Sequence, residues 1–147
     1  MIYISHRGNL FGTDPSIENQ PEQIDKCISL GYDVEIDVRY EYGSFYLGHD
    51  RPDTKISLEF LTNRSDNLWI HCKNVQSLSV LVDLPELNIF WHNKDNYTLT
   101  SKQYIWAYPG NSIHNQSRAI CVLPEIHNTP YNNFIGICSD YIGAFKD

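Results

Sequence analysis

The chain has 147 residues, a length typical of one domain and sufficient for a sizeable hydrophobic core, so we expect a single domain over 1–147. Hydrophobic residues make up 41% of the chain and charged residues 20%, which indicates a folded protein rather than a disordered one. Eleven Lys and Arg residues against eighteen Asp and Glu residues leave a net charge of −7. This charge excludes proteins that hold DNA, RNA or anionic membranes by bulk electrostatics.

The hydrophobic pattern predicts no membrane span. The longest purely apolar stretch, 119–123, is far shorter than the ~20 residues that a membrane-spanning helix needs. No basic and apolar leader follows Met1, so we expect a cytoplasmic protein. The four cysteines form no Cys-x-x-Cys pair, and most lie in short apolar runs, which predicts buried and free thiols.

In chain order, short runs rich in β-branched and aromatic residues alternate with helical patterns. The apolar spacing over 17–30 predicts a helix that begins after Asp14-Pro-Ser16 and stops at Gly31. Further helices are predicted over 57–61 and 75–84, whereas the segments after residue 92 show no amphipathic helix. Strands are predicted at 2–6, 33–38, 68–72, 88–92, 104–106, 119–122 and 136–140, with an added hairpin over 42–47.

Alternation of strand and helix in the first half predicts parallel βαβ units with right-handed crossovers. Seven or eight parallel strands favour a barrel, but a complete (β/α)8 barrel usually takes about 250 residues. We therefore expect a reduced TIM-type (β/α)8-like barrel in which several outer helices are shortened or missing.

Most of the predicted strands end in polar residues. In parallel sheets and barrels, reactive groups lie at these carboxyl ends of the strands. Glu35 and Asp37 lie two apart on one strand and therefore share a face, as do His71 and Lys73 on another. The remaining polar ends are His6-Arg7, His49-Asp50, His92, Glu125 and Asp140.

Two buried carboxylates on one face are costly unless a positive group neutralises them. Their hard oxygen atoms suit Mg²⁺ or Ca²⁺, whose coordination shell water or a substrate phosphate would complete. The alternative is ion pairing with Arg7, Arg39 or Lys73. Beside such a metal, His6 and His49 could act as general base and general acid at a phosphorus centre, because imidazole titrates near neutral pH.

Taken in order, these residues resemble the glycerophosphodiester phosphodiesterase family, within the phospholipase C-like phosphodiesterases. Motifs that match the family are dense over 2–50 and fewer over 68–73. From 87 onward the chain matches the family mainly in the spacing of its predicted strands. The family's His-Arg-Gly is matched by 6–8, its Glu-x-Asp-Val by 35–38 and its His-Asp by 49–50. Its Pro-Glu-Asn is matched less well, by 17–19, and its Glu-x-Lys reads His71-Cys72-Lys73 here. The closing segment 136–140 also resembles the family's last strand.

The resemblance implies a (β/α)8-like barrel, a divalent cation and cleavage of a small-molecule phosphodiester next to a free hydroxyl, which attacks phosphorus to give a cyclic phosphate. It implies that Glu18 either binds the metal or orients Arg7. Carried over residue by residue, the acid–base pair is His6 and His49, the phosphate-binding residues are Arg7 and Lys73, the metal ligands are Glu35, Asp37 and His71, and the supporting residues are Glu18, Asn19, Asp50, Trp106 and Asp140.

The chain departs from the family at the third metal ligand, where His71 replaces a carboxylate. Imidazole is a softer donor, which shifts the preference toward Mn²⁺ or Zn²⁺. Alternatively Asp95, Glu125 or Asp140 substitutes for the carboxylate, or the metal site is weak or lost. The second half also places Trp106 and Tyr108 beside polar groups, either as packing or as rings that stack on a substrate.

Two rival functions remain open in the sequence. The first is a catalytically weak or inactive module that binds phosphate esters on the same fold. The second is a different barrel enzyme that uses Lys73 as a Schiff base, which nearby Glu35 and Asp37 disfavour because they keep an amine charged. A shortened barrel leaves core surface less covered, so a homo-oligomer is a further hypothesis.

Overall fold

The computed structural model describes residues 1–114 and 117–146. Within them the chain forms one mixed sheet of ten strands, four short helices and a final 3-10 turn (Ile142–Ala144). The strands are β1 (Ile2–His6), β2 (Asp33–Glu41), β3 (Ser44–Leu47), β4 (Thr54–Ile56), β5 (Leu68–Cys72), β6 (Asn88–Phe90), β7 (Tyr97–Leu99), β8 (Ile105–Ala107), β9 (Ala119–Val122) and β10 (Gly136–Ser139). The helices are α1 (Pro21–Ser29), α2 (Leu58–Thr62), α3 (Val75–Leu81) and α4 (Pro124–His127).

Seven strands of the described residues run parallel, in the order β6-β5-β2-β1-β10-β9-β8. The β3–β4 hairpin extends antiparallel from β2, and β7 pairs antiparallel with β8. Within 1–114 and 117–146, no ladder joins β6 to β7 or β8, so the sheet is an open half-barrel. The predicted TIM-type (β/α)8-like barrel is therefore wrong.

The reason lies between β6 and β8. A TIM barrel places a helix after every strand, and here the chain after β6 enters β7 and turns back antiparallel into β8. The polar segment over 91–104 offers no amphipathic face that could form an outer helix, as the sequence predicted. The parallel order consequently stops at β6 on one side and β8 on the other.

Local signals account for where the helices begin. Ser57 and Asn74 cap α2 and α3, each accepting a hydrogen bond from the backbone N–H three residues on. Helix α1 begins at Pro21, later than predicted, because Asn19 adopts a left-handed conformation with φ of 54°. None of the helices in the described residues is long and apolar enough to cross a bilayer.

The core has two main parts, one on each face of the curved sheet. Outside, the apolar side chains of β2 pack with Ile24 and Cys27 of α1. Inside, Phe90 and Trp69 approach Trp106 with ring centroids 4.8 and 5.8 Å apart. These rings connect β5 and β6 to β8 across the interior, where no backbone ladder does so. All four cysteines are buried and free, as predicted.

Candidate active site

The strand register brings the predicted site residues together at the carboxyl end of the sheet. His6 of β1 lies opposite Glu35 of β2, and Asp37 of β2 lies opposite His71 of β5. Alternate residues of a strand share a face, so these four side chains all enter the interior above the aromatic rings. Asp140 reaches the same place from the end of β10, where its carboxylate contacts His6.

Glu35, Asp37 and His71 form a group that could hold a metal ion, with one ligand atom of each lying within 4.8 Å of the others. The Nδ1 atom of His71 is 3.7 Å from Glu35 Oε1 and 3.6 Å from Asp37 Oδ1. Both carboxylates are buried, and Glu35 Oε2 and Asp37 Oδ1 have no hydrogen-bond partner among residues 1–114 and 117–146. A cation among these atoms would satisfy oxygens that are otherwise costly to bury.

The protonation state and hydrogen bonding of His71 fit the role of a metal ligand. Its Nε2–H donates to the carbonyl oxygen of His92 at 3.1 Å, and its ring stacks on Phe90. Burial lowers the pKa of His71 to about 4, although the charge of Asp37 opposes the shift. The neutral ring therefore directs its Nδ1 lone pair at two carboxylates, an arrangement that is repulsive without a cation between them.

The two carboxyl groups differ in their charge state. Burial, reinforced by repulsion from Asp37, raises the pKa of Glu35 to about 7. Burial also acts to raise the pKa of Asp37, but Arg7, His71 and a hydrogen bond from Asn19 outweigh it and the net shift is downward. Asp37 is thus the permanent negative charge of the group, and a bound divalent cation would favour ionised Glu35 as well.

Arg7 is held against this group by its backbone. It adopts φ of 57°, its N–H donates to the Glu35 carbonyl at 2.9 Å, and its own carbonyl accepts from the Asn19 N–H at 2.9 Å. Its Nε lies 3.1 Å from Asp37 Oδ2, and its Nη1 lies 3.6 Å from Glu18 Oε2. Left-handed backbone at non-glycine residues is strained and tends to mark functional sites. Of the two roles that the resemblance implies for Glu18, this geometry supports orienting Arg7.

Asn19 and Asn9 complete the support of the carboxylates. The Asn19 side chain donates to Asp37 Oδ2 at 3.0 Å and accepts from the Asp37 N–H at 3.0 Å. Asn9, fully buried, donates to Glu18 Oε1 at 2.9 Å and to Asp140 Oδ1 at 2.8 Å. Asn9 was missed in the sequence, where its only signal is its place directly after His-Arg-Gly.

His6 is fixed by a carboxylate on one side of its ring. Its Nδ1 is 2.7 Å from Asp140 Oδ1, while its Nε2 lies 3.8 Å from Glu35 Oε2. Burial lowers the pKa of His6, but the hydrogen bond to Asp140 and the charges of Glu35 and Asp140 more than offset it, so the net shift is upward. Glu125 accepts from the Asp140 N–H at 3.0 Å, which places it as a support of Asp140.

His49 approaches from the loop after the β2–β3 hairpin, with its Nδ1 2.7 Å from Asp50 Oδ1. Arg39 holds this loop by donating to the carbonyls of Gly48 and His49 at 3.1 and 2.6 Å. Arg39 is therefore not the neutralising partner of the buried carboxylates. Lys73, just after β5, lines the same cavity as His49.

A cavity of about 390 Å³ opens above these groups and is lined by His6, Arg7, Glu35, His49, His71 and Lys73, among others. Lys73 thus faces charged neighbours rather than the apolar pocket that a Schiff-base lysine requires. Trp106 also borders the cavity, but it is only 4% exposed and packs on Phe90 and Trp69. Tyr108, at 45% exposed, is the more accessible of the two candidate aromatic residues.

Comparison of the chain with protein-family models, curated proteins and solved structures found no match in any of the three.

Proposed function

We propose that the protein is a metal-dependent phosphodiesterase, similar in chemistry to the glycerophosphodiester phosphodiesterase family, that cleaves small phosphodiesters next to a free hydroxyl. One observation carries this proposal. The Glu35–Asp37–His71 group, with two buried oxygens lacking partners, lies beside two histidines whose Nδ1 atoms are each fixed by an aspartate. A histidine anchored in this way keeps Nε2 for proton transfer to or from a substrate.

In this proposal Glu35, Asp37 and His71 hold a divalent cation. Mg²⁺ or Ca²⁺ suits the two carboxylates, and the imidazole also admits Mn²⁺. Bound there, the cation would supply Lewis-acid polarisation of a substrate oxygen.

His6 and His49 exchange the protons of the reaction. One imidazole accepts the proton of the substrate hydroxyl as its oxygen forms a bond to phosphorus, and the other donates a proton to the alcohol oxygen as its bond to phosphorus breaks. The products are a cyclic phosphate and a free alcohol. Arg7 and Lys73, both on the wall of the cavity, stabilise the negative charge on the phosphoryl oxygens.

A second candidate function is a phosphate-ester-binding module without turnover. The observation that favours it is the distance of 3.1 Å between Arg7 Nε and Asp37 Oδ2. This ion pair partly neutralises a carboxylate that the metal would need and draws Arg7 away from a substrate. If that pair persists, cleavage would be lost, and binding of the phosphate ester would depend on Lys73, which lines the same cavity.

The test is cleavage of a panel of glycerophosphodiesters, a lysophospholipid and cyclic nucleotides, each with Mg²⁺, Ca²⁺, Mn²⁺ or EDTA. We expect metal-dependent turnover that is lost in His6→Ala and kept in His114→Ala, which removes an exposed histidine outside the cavity. Phosphate binding without turnover on any member would favour the binding module. Turnover that survives both EDTA and His6→Ala would contradict the proposed mechanism.

A further inference from the structure

Two cavities meet at the candidate site, and they share two lining residues, Arg7 and His49. The cavity of about 390 Å³ described above lies on one side, and a second cavity of about 340 Å³ lies on the other. A phosphoryl group held at Arg7 and His49 would therefore stand between two chambers. A phosphodiester has two ester arms, so this geometry offers one chamber to each.

The larger chamber is partly aromatic and apolar. Its wall includes Tyr108, whose ring stacks on His92 with centroids 4.7 Å apart and an interplanar angle of 23°. The Tyr108 N–H donates to the Asn96 carbonyl at 2.8 Å, which fixes the residue at the end of β8. Leu123 and the exposed Ile126 line the same chamber. A planar ring would find stacking and apolar contact here.

The smaller chamber is lined mainly by polar and charged side chains rather than by aromatic and apolar ones. Besides Arg7 and His49 it is lined by Glu18, Asn19, Gln20, Asp50, Arg51 and Asp53, with Gly48 and Pro15. No aromatic ring other than the His49 imidazole belongs to this wall within the described residues. Carboxylate, amide and guanidinium groups of this kind are hydrogen-bonding partners for hydroxyls.

We propose that the substrate is an asymmetric phosphodiester that joins an alcohol carrying a planar ring to a small hydroxylated alcohol. The ring lies against Tyr108, the phosphoryl group lies at Arg7 and His49, and the hydroxylated arm lies beside Gln20. This inference rests on the proposed function and names its substrate class.

The two arms can be tested separately with phosphomonoesters as probes. Isothermal titration calorimetry would measure the binding of inorganic phosphate, phenyl phosphate and glycerol 3-phosphate to the protein with Mg²⁺. We expect each ester to bind more tightly than inorganic phosphate, by about 3- to 10-fold for phenyl phosphate, as one aromatic contact allows.

Substitutions then assign each arm to its chamber. Tyr108→Ala should abolish the preference for phenyl phosphate alone, whereas Tyr97→Ala, which removes a tyrosine of similar exposure (43%) outside both cavities, should keep it. Gln20→Ala should abolish the preference for glycerol 3-phosphate alone, with the exposed Gln76→Ala as its control.

The outcomes separate this inference from the proposed function. If both preferences appear and respond as expected while no diester is cleaved, the two-arm site stands and the catalytic proposal fails. If phenyl phosphate binds no better than inorganic phosphate, or its preference survives Tyr108→Ala, the two-arm inference is overturned even when diesters are cleaved. Absence of binding by all three probes would overturn it as well.

Discussion

At Glu35, protein stability conflicts with the proposed metal binding, because the carboxylate that would bind the cation is costly to bury in its ionised form. Its side chain is buried beside Asp37, and its Oε2 atom has no hydrogen-bond partner in the part of the chain that the structure describes. Its folded-state pKa of about 7 exceeds the ordinary value of 4.5, chiefly because of burial. Ionised Glu35 therefore destabilises the metal-free protein, and this penalty grows as the pH rises from 4.5 to 7 and is complete above that range.

We predict that Glu35→Gln stabilises the protein in EDTA at pH 8, by on the order of 1–3 kcal/mol, and has little effect near pH 4.5. We also expect Mg²⁺ or Mn²⁺ to stabilise the unsubstituted protein but not the Glu35→Gln variant. Thermal unfolding with EDTA and with each metal at both pH values would measure these effects. Glu86→Gln, which removes an exposed carboxylate, is the control. A destabilised Glu35→Gln at pH 8 in EDTA would show that the carboxylate is already neutralised without metal.

In the proposed mechanism Asp140 acts as a positioning residue, since its carboxylate contacts the Nδ1 atom of the His6 ring. We predict that Asp140→Asn lowers the cleavage rate by about 100-fold or more while metal binding is retained, because the carboxylate holds the His6 ring and its tautomer. Nitrogen chemical shifts of the His6 ring should change as well, which loss of packing alone would not cause. The exposed Asp83→Asn serves as the control, and a normal rate in Asp140→Asn would exclude this role.

At the scale of single residues, the period of a strand made most of the site predictable. Glu35 and Asp37 share a face because they lie two apart on β2. Lys73 follows the end of β5 rather than lying on it, but it lines the same cavity as His71. The support given by Asn9 could not be predicted in this way. It depends on Glu18 and Asp140, whose side chains Asn9 joins across 9 and 131 positions of the chain.

At the scale of elements, β5 and β9 begin and end where the pattern predicted, at Leu68–Cys72 and Ala119–Val122. Both are short runs rich in apolar residues, and each is bounded by a residue that breaks the pattern, Lys73 after β5 and Arg118 before β9. Strand β7 was missed because Tyr97–Leu99 has only three residues and is largely exposed, so its conformation depends on pairing with β8. Helix α4 was missed since its four residues carry no periodic signal.

His49 follows the hairpin formed by β2 and β3, and the backbone conformation of Gly48 sets the position of this histidine. Gly48 has φ of +151°, and a Cβ there would meet the carbonyl oxygen of Arg51 at 2.0 Å. We predict that Gly48→Ala strongly destabilises the hairpin end and displaces His49, with loss of cleavage. Gly43→Ala tests the same change at the hairpin turn, where φ is +73° and no atom lies within 4 Å, and should cost about 1 kcal/mol or less. Urea denaturation and cleavage rates would compare them; similar losses of stability in both variants would refute the steric argument.

At the scale of the whole molecule, the predicted barrel was wrong because the sheet is mixed, has ten strands and stays open as a half-barrel. Parallel pairing can be inferred from strand–helix alternation, and the first and last strands, β1 and β10, do pair. Whether the sheet closes depends instead on the chain between β6 and β8. In the described residues β7 occupies that stretch and pairs only with β8. The edge left by β7 is consistent with the hypothesis of a homo-oligomer, which light scattering at high protein concentration would test.

In the described part of the chain no ladder joins β6 to β8, although the N–H of Ser101, between β7 and β8, donates to the Ile89 carbonyl of β6 at 2.8 Å. Interior side chains add a second contact between the two ends of the sheet. Trp106 is central to this contact, since it packs on both Phe90 and Trp69 and is 4% exposed. We predict that Trp106→Ala lowers the free energy of unfolding by about 3–5 kcal/mol and speeds amide exchange first in β7 and β8. Urea denaturation and hydrogen exchange would measure both effects.

The matched control is Trp91→Ala, which removes a tryptophan that is 43% exposed and lies outside the interior cluster. It should change the free energy of unfolding much less and leave the exchange pattern of β7 and β8 intact. Uniform acceleration of exchange throughout the sheet in Trp106→Ala would instead mean that the half-barrel unfolds as one unit. The aromatic cluster would then stabilise the whole sheet rather than join its open ends, and the cavity above it would gain its shape from the parallel strands alone.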